Sequence, residues 1–520
     1  RYFRVTPDDI RRVAEKYLTP EKVVLVINPV PPGQPESEAV QVGPAAPAET
    51  RSLPEPKPPQ GGPDWSQMPG PSEPRPFHPP QIARRTLSNG MDVWIAEWHT
   101  LPIISAQLLV PAGTGDDPPG KSGLARLVAT LLDKGTKTKT AVELAEAFEL
   151  LGTSPNVAVG VDNTTLAFSV VTRNLNPTLD LAAEMLNAPR FDPQDFDRER
   201  QLQLAALLQG PDDVTWIARR AFRALLYGPK HPYGNPAEGY PETVKALTLD
   251  DVRHFHQTQF GADGSTLIVV GDVEPEALVQ TLEASLGTWK AQRSAPVLPR
   301  PPAQVKAEPG VAYLVDKPGA KQSVLNIGRR WVDRKDPRYF ATLIGNRILG
   351  ADFLSRLNRN LREEHGFTYG AGSAFVFRRT GSIWLVSTLV RTDATAEALK
   401  EALGELDALA GNKPFTTEEI STARIAEARS FPESFEAPAG IAGALRELAE
   451  FGLPPDYLET FLDRLQATTP EEVRQAMTEV VAPRERVVLI VGDRKEIEPK
   501  LKMLGFQEIR LVTSDGLPVK

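Results

Sequence analysis

Apolar and polar positions follow two different periods along the chain. Residues 91–98 and 104–110 alternate between apolar and polar side chains, which is typical of half-buried strands. Between Gly123 and Asp133 the apolar spacing changes to that of one helical face. The same order of strands and helices recurs between residues 311 and 477. Strands that are segregated from helices in this way predict an α+β fold with largely antiparallel sheets covered by helices.

A second pattern occurs three times and indicates a repeated domain. Each copy has a threonine, acidic residues just after it, a short helical stretch and then an apolar run; the copies begin at Thr6, Thr248 and Thr469. A threonine followed three residues later by an acidic residue is typical of a helix N-cap, and the apolar run predicts a buried strand. The copies are separated by the length of a whole domain, so the repeat is not that of a solenoid.

The repeats divide the chain into five predicted segments. Between Pro29 and Pro80 lie 17 of the 49 prolines, a composition typical of a semi-extended linker. The predicted segments are the tail of an upstream domain at 1–30, a Pro-rich linker at 31–83, an αβ domain at 84–294, a short linker at 295–306 and a second αβ domain at 307–520.

Composition excludes several classes of protein. The 520 residues carry 59 Lys+Arg against 67 Asp+Glu, and this net charge of −8 disfavours a nucleic-acid-binding protein. An apolar run of the roughly 18 residues that a membrane helix requires is absent from the sequence. The sequence has no cysteine, which removes disulfides, thiol catalysis and cysteine-ligated zinc.

The richest local motif lies between residues 353 and 369. A helix is predicted over 353–364 with Phe353, Leu357 and Leu361 on its buried face, followed by a strand from Tyr369. The segment Ser355-Arg356-Leu357…Leu361-Arg362-Glu363…Gly366…Tyr369 resembles the closing domain of the pitrilysin/insulinase class of zinc peptidases, which includes the mitochondrial processing peptidase. Other positions that fit this resemblance are Gln322, Asn346, Leu349-Gly350 and His231-Pro232-Tyr233-Gly234. The resemblance covers residues 84–520 and the tail at 1–30.

The resemblance implies a fold and a site. Two such αβ domains form one half of a clamshell that closes around an unfolded peptide, and the other half holds zinc through His-x-x-Glu-His and a distal glutamate. Arg362 and Tyr369 match the family's Arg/Tyr pair, which reaches the substrate carbonyl in the composite active site. A guanidinium and a phenol hydroxyl are both donors suited to stabilising a tetrahedral oxyanion.

The chain departs from the family where zinc would bind. The stretch that corresponds to His-x-x-Glu-His is Arg126-Leu127-Val128-Ala129-Thr130, and the stretch that corresponds to the distal glutamate is Gln203-Leu204-Ala205-Ala206-Leu207. Arginine, alanine and threonine cannot replace imidazole or carboxylate as zinc ligands. We therefore expect no metal in this chain and zinc in the complementary half.

Structural roles are alternatives for several of these residues. Arg362 near a helix end can bind the last carbonyls, and Tyr369 can be a core aromatic residue. His254 and His256 stand at i and i+2 on a predicted helix and so point apart, which argues against a metal pair. His231 is expected to be structural, whereas His365 is a candidate substrate contact because it lies between Arg362 and Tyr369.

The resemblance thus implies the non-zinc half of a metalloendopeptidase, which supplies substrate-binding and oxyanion contacts to a zinc half encoded upstream and is inactive on its own. Its expected partners are a peptide substrate and a complementary zinc-bearing half, in the same polypeptide or in a separate subunit, with no nucleic acid and no membrane span. The alternative is a non-catalytic scaffold or partner subunit on the same fold, like the peptidase-like core subunits of the respiratory cytochrome complex. The resemblance favours the periplasm or cell envelope over the cytoplasm.

Overall fold

The computed structural model describes residues 5–18, 76–289 and 306–519. The chain forms two compact units, Arg1–Glu73 and Pro74–Lys520. In the first unit the described residues form one helix; the predicted strand at 23–27 and the predicted Pro-rich linker up to residue 75 lie outside the described residues. The second unit contains two six-stranded sheets.

The described elements are as follows. The strands are β1 (Ala83–Thr86), β2 (Asp92–Glu97), β3 (Ile103–Val110), β4 (Asn156–Val159), β5 (Thr164–Val171), β6 (Thr266–Gly271), β7 (Val311–Asp316), β8 (Gln322–Arg330), β9 (Thr368–Val376), β10 (Ile383–Arg391), β11 (Val487–Gly492) and β12 (Glu508–Leu511). The α-helices are α1 (Pro7–Tyr17), α2 (Leu124–Leu131), α3 (Ala141–Leu150), α4 (Leu175–Asn187), α5 (Pro193–Gln209), α6 (Val214–Tyr227), α7 (Pro241–Ala246), α8 (Leu249–Gln259), α9 (Pro275–Ala284), α10 (Tyr339–Asn346), α11 (Arg356–Asn358), α12 (Thr395–Ala410), α13 (Thr417–Ser430), α14 (Pro438–Phe451), α15 (Tyr457–Ala467), α16 (Pro470–Val480) and α17 (Arg494–Leu501). Two π-helical stretches, Arg347–Ala351 and Arg359–Glu364, continue α10 and α11. Among the described residues, no helix combines the length and the apolar character needed to cross a bilayer.

The two sheets repeat one topology. The strand order is β1-β2-β6-β3-β5-β4 in the first sheet and β12-β7-β11-β8-β10-β9 in the second. Pairing is antiparallel except for β2 with β6, β7 with β11 and β12 with β7. The predicted α+β class, with two repeated domains that each contain a mainly antiparallel sheet covered by helices, is confirmed; the predicted boundaries between segments stay predictions.

Capping residues start the repeated helices as the sequence indicates. The side chain of Thr248 accepts from the Asp251 N–H while the Asp251 carboxylate accepts from the Thr248 N–H, and Thr469 with Glu472 does the same. Thr6 and Asp9 form the equivalent capping box on α1, whose hydrogen bonds lower the pKa of Asp9 to about 2. These reciprocal bonds satisfy amide groups that a helix start leaves unpaired.

Central strands are buried on both faces, which explains their continuous apolar runs. In β6, Leu267 and Val269 pack in the core of the first domain, whereas Ile268 and Val270 face a second core shared with α14. All six residues of β11 are buried. Continuous apolar runs are typical of strands covered on both faces.

Each sheet is covered on one face by a helix from the other domain. Helix α14 belongs to the second domain, where it lies between β10 and β11 in the chain, but it packs on β3 and β6. Helix α6 precedes all the strands of the second domain but packs on β8 and β11. The buried guanidinium of Arg220 on α6 also binds the Asp515 carboxylate at 2.7 Å. The two domains therefore share their cores.

The structure differs from the sequence prediction around residue 353. The helix predicted over 353–364 begins at Arg356, and Phe353 is 61% exposed instead of buried, while Leu357 and Leu361 are buried as predicted. The prediction was wrong because Phe353 has helical spacing to Leu357 but lies in the turn before the helix. Helix α6 and the strands β1 and β12 were not predicted.

The shared core predicts the effect of a truncation in α14. Leu445 is fully buried in the cluster that also contains Ile268 and Val270 of the first sheet. Leu445→Ala should lower the free energy of unfolding by roughly 2–5 kcal/mol, because it removes buried methyl groups and leaves a cavity. Urea unfolding followed by circular dichroism measures the loss.

A matched control is Leu150→Ala on α3, where the side chain is 86% exposed. This control should stay within about 0.5 kcal/mol of the wild type. An equally small loss for Leu445→Ala would show that α14 does not stabilise the unit.

Candidate functional site

Arg362 lies on a helix that is fixed to the second domain through Arg356. The Arg356 guanidinium is buried and binds the Glu419 carboxylate through two contacts of 2.8 Å. It also donates to the carbonyl oxygens of Lys413 and Pro414 at 2.8 and 3.2 Å. A planar guanidinium that uses both edges in this way holds the helix in one orientation.

A tight turn connects this helix to the strand that carries Tyr369. Gly366 has a φ of +61°, a conformation that glycine adopts without strain. The Gly366 N–H donates to the Arg362 carbonyl at 3.0 Å, and the Phe367 N–H donates to the Leu361 carbonyl at 2.9 Å. The strand then begins at once, so Arg362 and Tyr369 are presented on adjoining elements.

The pair faces solvent. Tyr369 is 94% exposed, so it is not a core aromatic residue, the alternative role that its sequence also allowed. The Arg362 side chain is 34% exposed; its Nε lies 3.3 Å from the Glu363 carboxylate, and its guanidinium carbon lies 4.4 Å from the centre of the Phe353 ring. His365 stacks on Phe367 with 5.1 Å between ring centres. Both members of the pair are accessible to a ligand.

Asn346 and Gly350, which fit the family resemblance, hold strand β9 against the helical layer. The Asn346 amide donates to the Ser373 carbonyl at 3.0 Å, and its oxygen accepts from the Ser373 hydroxyl at 2.7 Å and from the Trp384 indole at 3.2 Å. A Cβ on Gly350 would lie 2.4 Å from the Ser373 amide nitrogen, so only glycine allows this close approach. These residues position the strand and are not exposed donors.

The His-Pro-Tyr-Gly loop joins the two domains. The Tyr233 amide donates to Nδ1 of His231 at 3.0 Å, and the Tyr233 hydroxyl donates to the buried Asp162 carboxylate at 2.9 Å. The same carboxylate accepts from the backbone N–H of Arg379, in the turn between β9 and β10, at 3.2 Å. His231 is thus part of a buried junction.

The residues at the family's zinc position do not fit the metal. On α2, the Arg126 side chain is exposed, Ala129 is buried and Thr130 is half-buried. On α5, the buried Gln203 amide donates to the carbonyl oxygens of Gly123 and Glu238 at 3.1 and 3.0 Å. Imidazole and carboxylate groups, which zinc requires, are absent from these positions.

A buried carboxylate caps α2. The Asp117 carboxylate accepts from the backbone N–H groups of Gly123 and Ala125, both at 2.7 Å. Burial raises the pKa of Asp117 to about 7, although the two N–H donors act in the opposite direction. This group supports the helix start and points to backbone rather than to a metal.

Three histidines outside these motifs, His254, His256 and His99, also bear on metal binding. His254 is exposed and His256 is buried, so they point apart as predicted. Sequence reasoning missed His99, whose Nδ1 lies 2.9 Å from Asp272 and whose Nε2 lies 3.1 Å from Glu97. Hydrogen bonds to these carboxylates raise the pKa of His99. Among the described residues, Glu97, His99 and Glu274 are the one group spaced for a metal ion, and all three are exposed.

Two family models match the sequence. The model for the insulinase family of peptidases, M16, matches residues 93–212, and the model for the peptidase M16 inactive domain matches residues 246–427. The chain belongs to this insulinase-type peptidase family, which confirms the resemblance found in the sequence.

The chain is also similar to individual relatives and solved structures of peptidases. An uncharacterized zinc protease of Mycobacterium leprae is 27% identical over 305 residues, covering 58% of this chain and 68% of that protein. The crystal structure of a peptidase M16 inactive domain from Pseudomonas fluorescens is 26% identical with a TM-score of 0.70, covering 79% of this chain and 98% of that one. The first half of the periplasmic protease PqqL from Escherichia coli shares the fold, with a TM-score of 0.64 at 18% identity over 84% of this chain and 99% of that one.

The environment of His256 predicts a pH dependence of stability. Its ring packs between Phe191 and Phe260, each with 5.3 Å between ring centres, and burial lowers its pKa from 6.5 to about 4. Between pH 6.5 and about pH 4, His256 therefore binds a proton in the unfolded chain but not in the folded chain. As the pH is lowered through this range, this residue decreases the stability of the folded chain. Between pH 7 and pH 5 its contribution is about 2 kcal/mol.

His256→Phe should remove this contribution, so the difference in unfolding free energy between pH 7 and pH 5 should shrink by about 2 kcal/mol. Urea unfolding at both pH values measures it. His254→Phe on the exposed face of the same helix is the matched control and should leave the difference unchanged. If the difference in unfolding free energy between pH 7 and pH 5 is the same in His256→Phe as in the wild type, the prediction is wrong, because the buried ring then accepts a proton as easily as a free imidazole.

Proposed function

We propose that this chain is the non-zinc half of a metalloendopeptidase and supplies Arg362 and Tyr369 to a composite active site. The observation that carries the proposal is the exposure of Tyr369: an aromatic side chain with a hydroxyl donor stands 94% exposed at the end of a rigid helix–strand corner. A tyrosine that only stabilised the fold would bury its ring. Its companion Arg362 is accessible on the adjoining helix.

The two donors suit one chemical task. When a nucleophile attacks a peptide carbonyl, the oxygen gains negative charge, and donors fixed beforehand stabilise that charge without reorganisation. The Arg362 guanidinium offers several N–H donors, and the Tyr369 hydroxyl donates one further hydrogen bond. In this proposal both groups bind the carbonyl oxygen of the substrate and neither attacks it.

The remaining machinery belongs to a complementary half. Zinc and its catalytic carboxylate would come from that half, either in the same polypeptide or in a separate subunit, and the two halves would enclose an unfolded peptide. This proposal is supported by residues 126–130 and 203–207, which correspond to the family's zinc-binding stretches and contain no imidazole or carboxylate. The periplasm or cell envelope is the proposed location, in line with the family resemblance and with the periplasmic Escherichia coli protease whose first half shares this fold.

Loss of the Tyr369 hydroxyl tests the proposal. In the complete protein, with its zinc-bearing half, Tyr369→Phe should lower kcat by roughly 10–1000-fold, the usual effect of removing one oxyanion donor. KM should change much less, because the ring is kept. Steady-state hydrolysis of a fluorogenic peptide gives both constants.

Tyr17→Phe is the matched control, since Tyr17 is 69% exposed and has no role in the proposal. It should leave kcat unchanged. If Tyr369→Phe also turns over at the wild-type rate, the pair has no part in the reaction and the non-catalytic scaffold becomes the better explanation.

A second prediction concerns metal and activity in this chain alone. Purified residues 1–520 should hold far less than one zinc per chain after dialysis, and they should cleave no peptide until the complementary half is added. Elemental analysis and a peptide assay measure the two properties. The variant His99→Ala identifies zinc bound weakly at the exposed Glu97, His99 and Glu274. One tightly bound zinc that persists in this variant would contradict the proposal.

A further inference from the structure

Arg334, in the loop between β8 and α10, is a buried arginine whose hydrogen-bonding capacity is only partly used. Its side chain is 2% exposed, and its Nε donates to the Glu447 carboxylate of α14 at 2.6 Å. The guanidinium carbon lies 3.3 Å from the centre of the Tyr339 ring and 5.0 Å from that of Tyr457. The Nη1 atom has no hydrogen-bond partner among the described residues. Buried N–H groups generally bind an acceptor, because an unpaired one destabilises the fold.

The hydroxyl of Tyr457, at the start of α15, is a second buried polar group of this kind. The side chain is 5% exposed, and within the described part of the chain its oxygen has no hydrogen-bond partner. Burial raises the pKa of Tyr457 to about 12, although the neighbouring Arg334 opposes this rise. The hydroxyl is therefore protonated near neutral pH and can donate. Arg334 and Tyr457 thus offer two unused donors on neighbouring side chains.

Both side chains line a cavity of about 710 Å³. Residues 334–337, which precede α10, and residues 452–455, which connect α14 to α15, form part of its lining together with residues of α10, α15 and α16. Phe340 and Leu453 contribute apolar surface beside the tyrosine rings. A cleft of this size, with aromatic walls and a few polar groups, is typical of a site for a small organic ligand.

Two further cations line the same cavity. Lys335 and Arg464 are exposed, and neither forms an ion pair within the residues that the structure describes. The Nζ of Lys335 lies 3.2 Å from the position that a Cβ on Gly452 would occupy. The Arg464 guanidinium carbon lies 5.9 Å from the centre of the Tyr457 ring. With Arg334, these side chains surround the cavity with positive charge, which attracts an anion.

The two carboxylates that line the cavity already have partners. The Asp336 carboxylate binds the Arg338 guanidinium at 2.9 Å, and hydrogen bonds from Arg338 lower the pKa of Asp336. The Glu472 carboxylate accepts from the Thr469 backbone N–H at 2.7 Å in the capping box of α16. These groups are therefore engaged elsewhere, and the donors of the cavity remain available to a ligand.

A neighbouring cavity of about 680 Å³ also reaches Arg334 and Tyr457 but has the opposite charge. Glu427, Glu433 and Glu447 line it, and Arg334 is the one cation among its lining residues. An anion is repelled from this side. The charge distribution therefore selects the cavity of about 710 Å³ as the side from which an anion reaches the guanidinium.

We propose that the cavity at Arg334 and Tyr457 binds an organic anion that carries a carboxylate or phosphate group on an aromatic body. The charged oxygens accept from Arg334 and Tyr457, Lys335 adds attraction, and the aromatic body packs against the rings and Phe340. This inference goes beyond the proposed function and does not depend on it. Because residues 452–455 directly follow α14, a bound anion also stabilises the helix that covers the first sheet.

The test measures binding of three probes to purified residues 1–520 by isothermal titration calorimetry at constant ionic strength. The probes are phenylacetate, phenyl phosphate and the neutral analogue phenylacetamide. We expect one site per chain with a Kd of about 0.1–1 mM for at least one anion, as is usual for a ligand of this size. Phenylacetamide should bind at least about tenfold more weakly, because it lacks the charge. The tighter of the two anions identifies the group as carboxylate or phosphate.

Two variants locate the anion in the cavity. Tyr457→Phe should weaken binding by roughly 2–10-fold, the effect of one hydrogen bond, and should leave Tm unchanged or higher, because the lost hydroxyl has no partner. Lys335→Gln should weaken binding by roughly 2–5-fold. Lys137→Gln, at an exposed lysine of the first domain, is the matched control and should bind as the wild type does. Arg334 is left intact, since its substitution also breaks the bond to Glu447.

Three results would contradict the inference. The first is that neither anion binds, and the second is that phenylacetamide binds as tightly as phenylacetate, which would make the cavity a site for neutral aromatic molecules. The third is a wild-type Kd in both Tyr457→Phe and Lys335→Gln, since the anion would then bind elsewhere. A lower Tm of Tyr457→Phe together with a wild-type Kd would assign the hydroxyl to the fold and likewise overturn its role in binding.

Discussion

The exchange of one helix between the two domains is the interaction on which the rest of the second unit depends. A strand such as β6 or β11 is apolar on both faces, so a sheet made of such strands needs cover on both sides. Its own domain supplies one cover, and α14 or α6 supplies the other. Neither sheet is fully buried without the other domain, so the orientation of the two domains is set by the hydrophobic effect. The shared helices therefore fix the two sheets of the second unit relative to each other.

Buried hydrogen bonds connect the second sheet to the proposed site. Strand β10 lies between β8 and β9, and Trp384 of β10 donates to Asn346, which also holds Ser373 of β9. From β9 the bonds run through Asn358 to the Phe353 turn and along the helix to Arg362. A donor pair at the end of such a chain of satisfied buried groups has little freedom to move away from a developing charge. The fold thus contributes to the proposed chemistry by fixing two exposed side chains.

Local sequence signals predicted the elements, whereas contacts between distant segments could not be read from them. The capping boxes at Thr248 and Thr469 and the apolar runs of β6 and β11 are encoded within a few residues, and they were found. The placement of α6 and α14 depends on which sheet face is left uncovered, and periodicity carries no information about that. Phe353 shows the same limit, because its spacing to Leu357 fits a helix that in the structure begins three residues later, at Arg356, after Ser355 in an extended conformation. Resemblance, not periodicity, singled out Arg362 and Tyr369.

The lack of zinc ligands is built into the packing around α2 as well as into the sequence. The Gln203 amide donates to two backbone carbonyls, those of Gly123 and Glu238, and a glutamate at this position would place a carboxylate against both acceptors. Ala129 is 2% exposed, so a glutamate there would bury a charge without a partner. A zinc site at this place therefore requires a different arrangement of the α2–α5 contact, and single substitutions in the present one are opposed by the packing. The first domain is consequently suited to support its neighbour through α6, and the chemistry proposed for this chain lies wholly in the second domain.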